Sequence, residues 1–369
     1  MTASLLTQGT FFFPGPTEVR AEVLAAMTRP LIAHRGKAFE ALYAGIQASL
    51  RPIFRTTRPV YVSSSSATGL MEAAVRCAPE GRVLSIVNGA FSARFSAIVK
   101  ACGRDSDVLE VPYGDFATLD MVSDALQRQR YAAVTVVHSE TSTGALQDVR
   151  GITRLARDAG AVCLVDSVTG IGGAPLEFDG WELDFALTGS QKALALPPGL
   201  AFAAATPAFI ESARSTARRG LYFDLVEFDA YGAKNQTPNT PAINLFYAAE
   251  VQLAAIAAEG MEARWARHRQ MAEMTWTWVD GLRARHGDAF GVLAREGNRT
   301  PTVTSITIPS AFTATTLVRA VAERGFTIGN GYGKNRETTF RIGHMGDHVP
   351  ERLEDCLGVC DEVIGELVS

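Results

Sequence analysis

The chain has 369 residues, of which 47% are hydrophobic and 20% are charged, and its formal net charge is −4. This composition is typical of a globular protein, and the length favours one large and one smaller domain. Because the sequence contains no dense basic block, its charge pattern argues against a nucleic acid as a partner.

Signals for export and for membrane insertion are weak. The first eight residues have neither a cationic start nor a long apolar run, so we expect no signal peptide. The longest apolar stretch, residues 193–210, is interrupted by Pro197, Pro198, Gly199 and Pro207. We therefore expect a turn followed by a buried strand there, not a membrane helix.

The five cysteines are an odd number and are widely scattered, which favours reduced thiols in the cytoplasm. Cys356 and Cys360 are four residues apart on a predicted helix, near His344 and His348. Since no CxxC or His-Glu-x-x-His spacing is present, we expect helix packing and no metal site.

Short apolar runs alternate with helical patterns through most of the chain. The predicted strands are residues 83–87, 132–138, 162–166, 185–188 and 200–205, and the helices between them are 69–77, 90–102, 118–128 and 149–158. This alternation is typical of a mostly parallel sheet covered on both faces. Ligands of such sheets bind at the carboxyl ends of the strands.

The pattern changes towards the C-terminus. A long helical region covers residues 241–285, with a break near Gly260. Strands at 302–308 and 340–342 and helices at 315–324 and 350–367 follow it. We therefore expect a large domain, residues 1–260, and a small C-terminal α/β domain, residues 261–369.

Two residues at predicted strand ends carry the strongest chemical signal. Asp166 ends the apolar run 162–165, and Lys192 follows the apolar run 184–187 within Gly189-Ser190-Gln191-Lys192. A lysine and an aspartate in these positions suit pyridoxal phosphate (PLP). The lysine would hold PLP as a Schiff base, and the aspartate would keep its pyridine nitrogen protonated.

Three further segments follow or precede predicted elements in the same region. Ser66, Ala67 and Thr68 stand at a helix start, where backbone amides bind phosphate, although a simple helix cap is the alternative. Residues 138–144 suit hydrogen bonds to a ring oxygen, although His138 could be a packed histidine. Phe91 could stack on the ring or belong to the core.

An arginine lies inside the apolar strand predicted at 340–342. Arg341 suits a substrate carboxylate, because its planar guanidinium binds two oxygens at once, and an internal ion pair is the alternative. His34 and Arg35 could serve a similar purpose or form a surface pair.

These segments together resemble the class V aminotransferases of fold type I, most closely the alanine–glyoxylate and serine–pyruvate branch. The matching segments follow the family's order and lie at residues 14–17, 34–35, 71–75, 88–89, 140–144, 165–167, 189–192, 197–199 and 341–343. The resemblance implies an α/β fold with a mostly parallel seven-stranded sheet in the large domain and a small C-terminal α/β domain. Two departures are the serine-rich phosphate loop, where the family is usually glycine-rich, and Phe91, where close relatives often have tryptophan.

The resemblance also implies a role for each matching residue. Those that bind or activate the cofactor are Lys192 (Schiff base), Asp166 (pyridine nitrogen), Val168 (under the ring), Phe91 (stacking), Thr141 (near the ring hydroxyl), and Ser66, Ala67, Thr68 and Gln191 (phosphate). Thr240 matches a phosphate contact taken from the neighbouring subunit, which implies a homodimer with shared active sites. Arg341 matches the residue that binds the substrate carboxylate, and Gly15 lies near the substrate.

The resulting expectation is a PLP-dependent aminotransferase that acts on alanine or serine and on glyoxylate or pyruvate. Phosphoserine aminotransferase stays open through the His34-Arg35 pair. A cysteine desulfurase-like lyase would need a cysteine on a mobile glycine-rich loop, and none of the five cysteines lies in such a segment.

Overall fold

Residues 5–369, which the computed structural model of the chain describes, form twelve α-helices and thirteen β-strands. The helices are α1 (Ala21–Ala26), α2 (Lys37–Phe54), α3 (Ala67–Cys77), α4 (Ala90–Ala101), α5 (Leu119–Arg128), α6 (Val149–Asp158), α7 (Pro207–Arg214), α8 (Leu225–Gly232), α9 (Ile243–Glu259), α10 (Met261–His286), α11 (Ala314–Glu323) and α12 (Pro350–Val368).

The strands of the large sheet and its neighbouring hairpin come first in the chain. They are β1 (Val60–Ser63), β2 (Val83–Val87), β3 (Ser106–Glu110), β4 (Ala133–Val137), β5 (Ser139–Glu140), β6 (Ala145–Leu146), β7 (Val162–Asp166), β8 (Phe185–Gly189) and β9 (Ala201–Ala205). The later strands are β10 (Gly291–Val292), β11 (Thr304–Thr307), β12 (Gly329–Asn330) and β13 (Thr339–Ile342).

The large sheet has seven strands in the order β1-β9-β8-β7-β4-β2-β3. Strand β9 runs antiparallel to both of its neighbours, whereas the pairs from β8 through to β3 are parallel. This arrangement confirms the predicted mostly parallel seven-stranded sheet. It also brings the carboxyl ends of β4, β7 and β8 to the same edge.

Both faces of this sheet are covered by helices. Since successive strand residues point to opposite sides, neighbouring residues of one strand belong to different hydrophobic clusters. Val134 and Val136 of β4 belong to the hydrophobic cluster formed with α2, α6 and α9. Ala133, the residue before Val134, points to the other face and belongs to the cluster formed with α3, α4, α7 and α8. The near-continuous apolar sequence of the central strands follows from this double burial.

A second sheet has the order β10-β11-β13-β12, and its pairs are antiparallel. Helices α10, α11 and α12 supply apolar side chains to its core. Phe12 from the N-terminal segment joins the same core, and Phe11 forms a β-bridge with Thr327. The division of the chain into domains at residue 260 stays a prediction.

The break expected near Gly260 is present: this residue ends α9 and precedes α10, with φ at 80°. A non-glycine residue would be strained in that left-handed region. The segment 193–210 contains a turn followed by β9 and the start of α7. Within residues 5–369, no helix combines the length and apolar character needed to cross a membrane.

Candidate active site

A cavity of about 410 Å³ lies at the edge of the large sheet where β4, β7 and β8 end. Wider surface grooves occur between α5 and α6 and between α10 and α12, but the residues that line them do not combine a buried lysine with a buried carboxylate. The residues lining the cavity include ten that the sequence predicts for the site: Gly15, Ser66, Ala67, Thr68, Phe91, Thr141, Asp166, Val168, Gln191 and Lys192.

Lys192 lies in a tight turn after β8. The turn is held by Ser190, whose Oγ donates to the carbonyl of Pro197 (2.7 Å) and accepts from the amide of Leu200 (3.2 Å). The Lys192 side chain is buried, and its Nζ donates a hydrogen bond to the carbonyl oxygen of Pro14. Burial and the nearby charge of Arg341 lower the pKa of Lys192 to about 7, against an opposing effect of Asp166. A large share of the amine is therefore neutral near pH 7, which is the form that attacks an aldehyde.

Asp166 ends β7, and its side chain is also buried. Its Oδ1 accepts a hydrogen bond from the amide of Val168 at 2.8 Å, and residues 5–369 offer its carboxylate no ion-pair partner. Burial raises the pKa of Asp166 to about 7, and the charge of Glu140 adds to this effect. A buried carboxylate of this kind is stabilised by a cationic partner, and the protonated pyridine nitrogen of PLP would be one.

His138 lies behind Asp166 and does not line the cavity. Its Nδ1 shares a hydrogen bond with Ser167 Oγ at 2.9 Å, and its ring meets Trp181 edge-on. Burial lowers the pKa of His138 to about 4, so the ring is neutral at physiological pH. The packed alternative is therefore the correct one for His138, whereas Thr141 of the same segment does line the cavity.

Glu140 anchors one wall of the cavity, a function that the sequence did not reveal. Its fully buried carboxylate accepts hydrogen bonds from the amides of Phe91 (3.3 Å) and Ser92 (2.9 Å) and from Ser142 Oγ (2.5 Å). These amides stand at the N-terminus of α4, where the helix dipole stabilises negative charge. Glu140 thereby fixes Phe91 at the edge of the cavity.

The predicted phosphate site lies at the N-terminus of α3. Ser66 occupies the N-cap position, but its side chain makes no capping hydrogen bond. The Ser66 hydroxyl is therefore not used by the helix itself, and Ser66 lines the cavity together with Ala67 and Thr68. Helix amides and hydroxyl groups directed to one cavity suit an anion, so the residues present fit the phosphate of PLP.

Arg341 reaches the cavity region from β13 of the second sheet. Its Nε donates to the carbonyl of Asn330 (2.8 Å), and its Nη1 donates to the carbonyl of Thr141 (3.1 Å). No carboxylate of residues 5–369 lies within ion-pair distance of it, so the internal ion pair considered above is wrong. Burial lowers the pKa of Arg341 to about 10, which leaves the guanidinium charged at neutral pH.

Gly15 approaches the lysine closely. Its φ is +100°, and a Cβ atom at this position would overlap the end of the Lys192 side chain. Both facts require a glycine.

Arg341 borders the cavity through its contact with Thr141 without lining it, and two further predicted features lie away from the cavity of the single chain. Thr240 is exposed and borders a small cleft with Ser63 and Ser64. Arg35 donates from Nη1 to the carbonyl of Thr237 (2.7 Å) and from Nη2 to the carbonyl of Pro238 (3.1 Å). Arg35 therefore braces the segment that leads to Thr240.

Sequence reasoning gave no site role to six residues that line the cavity, namely Pro16, Met71, Arg94, Val137, Thr169 and Tyr332. Ser139, which also lines it, belongs to the predicted segment 138–144. Arg94 carried a usable signal, because it follows Phe91 by three residues and so lies on the same helix face. Tyr332 carried no such signal, since the second sheet brings it to the cavity from far along the chain.

Comparison with known proteins agrees with this site. The model of the family "Aminotransferase class-V" matches residues 15–333. An uncharacterized aminotransferase of Methanocaldococcus jannaschii is 36% identical over 339 residues, which cover 90% of this chain and 86% of that protein. The L-aspartate–glyoxylate aminotransferase of Paracoccus denitrificans is 30% identical and covers 99% of this chain and 92% of its own length.

A solved structure shows the same architecture. The alanine–glyoxylate aminotransferase from Nostoc sp. matches with a TM-score of 0.90 at 30% identity, covering 99% of this chain and 98% of that chain. The match includes both sheets, since it extends over nearly the whole chain. The chain therefore belongs to the class V aminotransferases, PLP-dependent transaminases of fold type I.

Proposed function

We propose that this aminotransferase moves an amino group between a small α-amino acid, alanine or serine, and a small 2-oxo acid, glyoxylate or pyruvate. The observation that carries the proposal is the position of Arg341, a buried guanidinium without a carboxylate partner in the described chain, next to the cavity that holds Lys192. A guanidinium so placed suits the carboxylate that α-amino acids and 2-oxo acids share.

Each residue has a defined task in this proposal. Arg341 binds and orients the substrate carboxylate, and the neutral amine of Lys192 takes the α-proton and returns it. Asp166 supplies a negative charge at the end of the ring, and the N-terminus of α3 supplies amides at the phosphate. When bound, PLP carries the amino group and takes up the electron pair released at the α-carbon.

The names of relatives support small substrates but differ in the donor. One is an alanine–glyoxylate enzyme and another an L-aspartate–glyoxylate enzyme. Phosphoserine is less favoured, because Arg35 is occupied with backbone carbonyls outside the cavity. A cysteine lyase is less favoured too, since none of the five cysteines, all within the described residues, lines the cavity.

We further propose that the enzyme is a cytoplasmic homodimer in which Thr240 contacts the phosphate bound by the neighbouring subunit. Support comes from the exposure of Thr240 in the single chain and from the exposed side chains of Leu221 and Tyr222 in the same region. The free cysteines fit a reducing compartment.

The test compares alanine, serine, aspartate and phosphoserine as donors at equal concentration, with glyoxylate and pyruvate as acceptors. The proposal expects alanine or serine to have the highest kcat/KM. A tenfold preference for phosphoserine would reject the proposal, and a similar preference for aspartate would make aspartate the donor in place of alanine or serine.

Sedimentation of the purified enzyme tests the proposed homodimer. It should report a dimer, and a fully active monomer would reject the shared active site.

A further inference from the structure

Tyr332 lines the cavity from the loop between β12 and β13, beside Phe91 and Arg94 of α4. Its ring stacks on Phe91 with centroids 5.1 Å apart and an interplanar angle of 26°. Its hydroxyl accepts a hydrogen bond from Nη2 of Arg94 at 3.2 Å. The two aromatic rings thus form one continuous wall, held at its outer end by Arg94.

This wall stands beside both groups that a substrate must reach. The guanidinium carbon of Arg341 lies 5.4 Å from the centroid of Tyr332, and Nζ of Lys192 lies 5.9 Å from the centroid of Phe91. A donor with its carboxylate on Arg341 and its α-carbon near Lys192 therefore lies along the wall. Its side chain has to share the remaining space with the Tyr332 ring.

We propose that Tyr332 sets the upper size limit for the side chain of the amino donor. The inference rests on the proposed function, because it takes Arg341 as the carboxylate site. In a pocket of fixed shape, one methylene group changes the discrimination between substrates by roughly 10- to 200-fold. A ring at this position therefore suffices to separate alanine and serine from longer donors.

The loop does not depend on Tyr332 alone for its position. Nζ of Lys334 lies 4.0 Å from the ring centroid of Tyr113, and Thr339 Oγ1 donates to the carbonyl of Asn335 at 3.0 Å. Replacing Tyr332, which is about a third exposed (36%), should therefore remove the ring and leave the loop in place. Tyr113 offers a matched control, because it contacts the same loop but does not line the cavity.

The experiment measures kcat/KM of the holoenzyme for alanine, 2-aminobutyrate, norvaline and norleucine. Tyr332→Ala should raise the ratio of norvaline to alanine at least tenfold, and Tyr332→Phe should leave it within about threefold of the wild-type ratio. Tyr332→Trp should lower the ratio of 2-aminobutyrate to alanine. Calorimetric binding of the carboxylates from acetate to hexanoate should shift towards the longer chains in Tyr332→Ala, independently of turnover.

An unchanged norvaline ratio and an unchanged carboxylate series in Tyr332→Ala would overturn the inference. Equal broadening by Tyr113→Ala would overturn it as well, because loop anchoring would then set the limit. If the wild-type enzyme transaminates none of the small α-amino acids, the proposed function fails first, and this outcome is visible before any variant is compared.

Discussion

Nη1 of Arg341 donates a hydrogen bond to the carbonyl oxygen of Thr141 at 3.1 Å. This contact joins the second sheet directly to a residue that lines the cavity of the first. Together with the bond from Nε to Asn330, it fixes the plane of the guanidinium. The group that we assign to the substrate carboxylate is therefore oriented before the substrate arrives.

Replacing Arg341 by lysine should raise the KM for the amino donor by about ten- to a hundredfold. A lysine ammonium keeps the charge but cannot give two parallel hydrogen bonds, and bonds to charged groups are worth about 1.5–3 kcal/mol each. Steady-state kinetics with a saturating acceptor measures the effect. Arg336→Lys, an exposed change in the loop that precedes β13, is the control and should leave the KM unchanged. A wild-type KM in Arg341→Lys would remove this residue from substrate binding.

Replacing Asp166 by asparagine should reduce turnover about a hundredfold while the protein still folds and binds PLP. The neutral amide cannot stabilise the protonated ring nitrogen, and loss of one such electrostatic partner costs about 3 kcal/mol in the transition state. Absorbance of the bound cofactor checks loading, and kcat at saturating donor checks the effect. Turnover close to that of the wild type would show that Asp166 has a purely structural role.

The stability of protein stripped of PLP should depend on pH through Asp166. Since the pKa in the folded state, about 7, is above the unfolded value, the unfolded state loses its proton first as the pH rises. The contribution of Asp166 is therefore fully present below about pH 4 and is lost as the pH rises to 7. Asp166→Asn should gain stability relative to the wild type over this interval in denaturant titrations. A difference that stays constant from pH 4 to 7 would contradict the raised pKa.

Asp347 lies in a buried ionic network, and its replacement should destabilise the fold. Asp347 accepts hydrogen bonds from Arg20, Gln252 and Arg264, and Arg264 also donates to the carbonyl of Ala193, next to Lys192. Asp347→Asn should lower the free energy of unfolding by about 3 kcal/mol, because the buried Arg20 and Arg264 lose the carboxylate they share and keep only Glu22 and Glu259 as partners. Asp288→Asn breaks an exposed pair with Arg283 and should cost less than about 1 kcal/mol.

The contribution of Asp347 to stability depends on pH with the opposite sign to that of Asp166. Burial alone would raise the pKa of Asp347, but Arg264, Gln252 and Arg20 lower it below its ordinary value. Its contribution is therefore present above about pH 4 and is lost as the pH falls through the lower, folded-state value. Equal costs for Asp347→Asn and Asp288→Asn at pH 7 would show that the network is not a stabilising feature.

Local sequence signals predicted much of the fold. Residues 149–158 and 162–166 were predicted from apolar and helical patterns with the bounds of α6 and β7. The structure shows local signals at the same bounds, since Asp148 caps the start of α6 and Gly160 has φ at 76° just after its end. Strand β3 was not predicted, since it lies at the sheet edge and only two of its five residues, Val108 and Leu109, are apolar. Helix α2 was not predicted either, although its buried residues recur at helical spacing.

The site divides in a similar way. Asp166 and Lys192 could be predicted, because each follows a buried strand and parallel strands end at one edge. Tyr332 could not, since its contact with Phe91 depends on how the second sheet packs against α4. The role of Glu140 depends on backbone amides far along the chain, which local patterns do not encode. The proposed role of Thr240 came from the family resemblance and stays a prediction.

The central claim is that Lys192 holds PLP, and borohydride reduction of the yellow purified protein tests it most directly. Digestion and mass spectrometry should place the reduced cofactor on the peptide that contains Lys192, whose Nζ lies buried in the cavity. Lys192→Ala should yield no such adduct. An adduct on another lysine, or PLP fixed equally well in Lys192→Ala, would contradict the account.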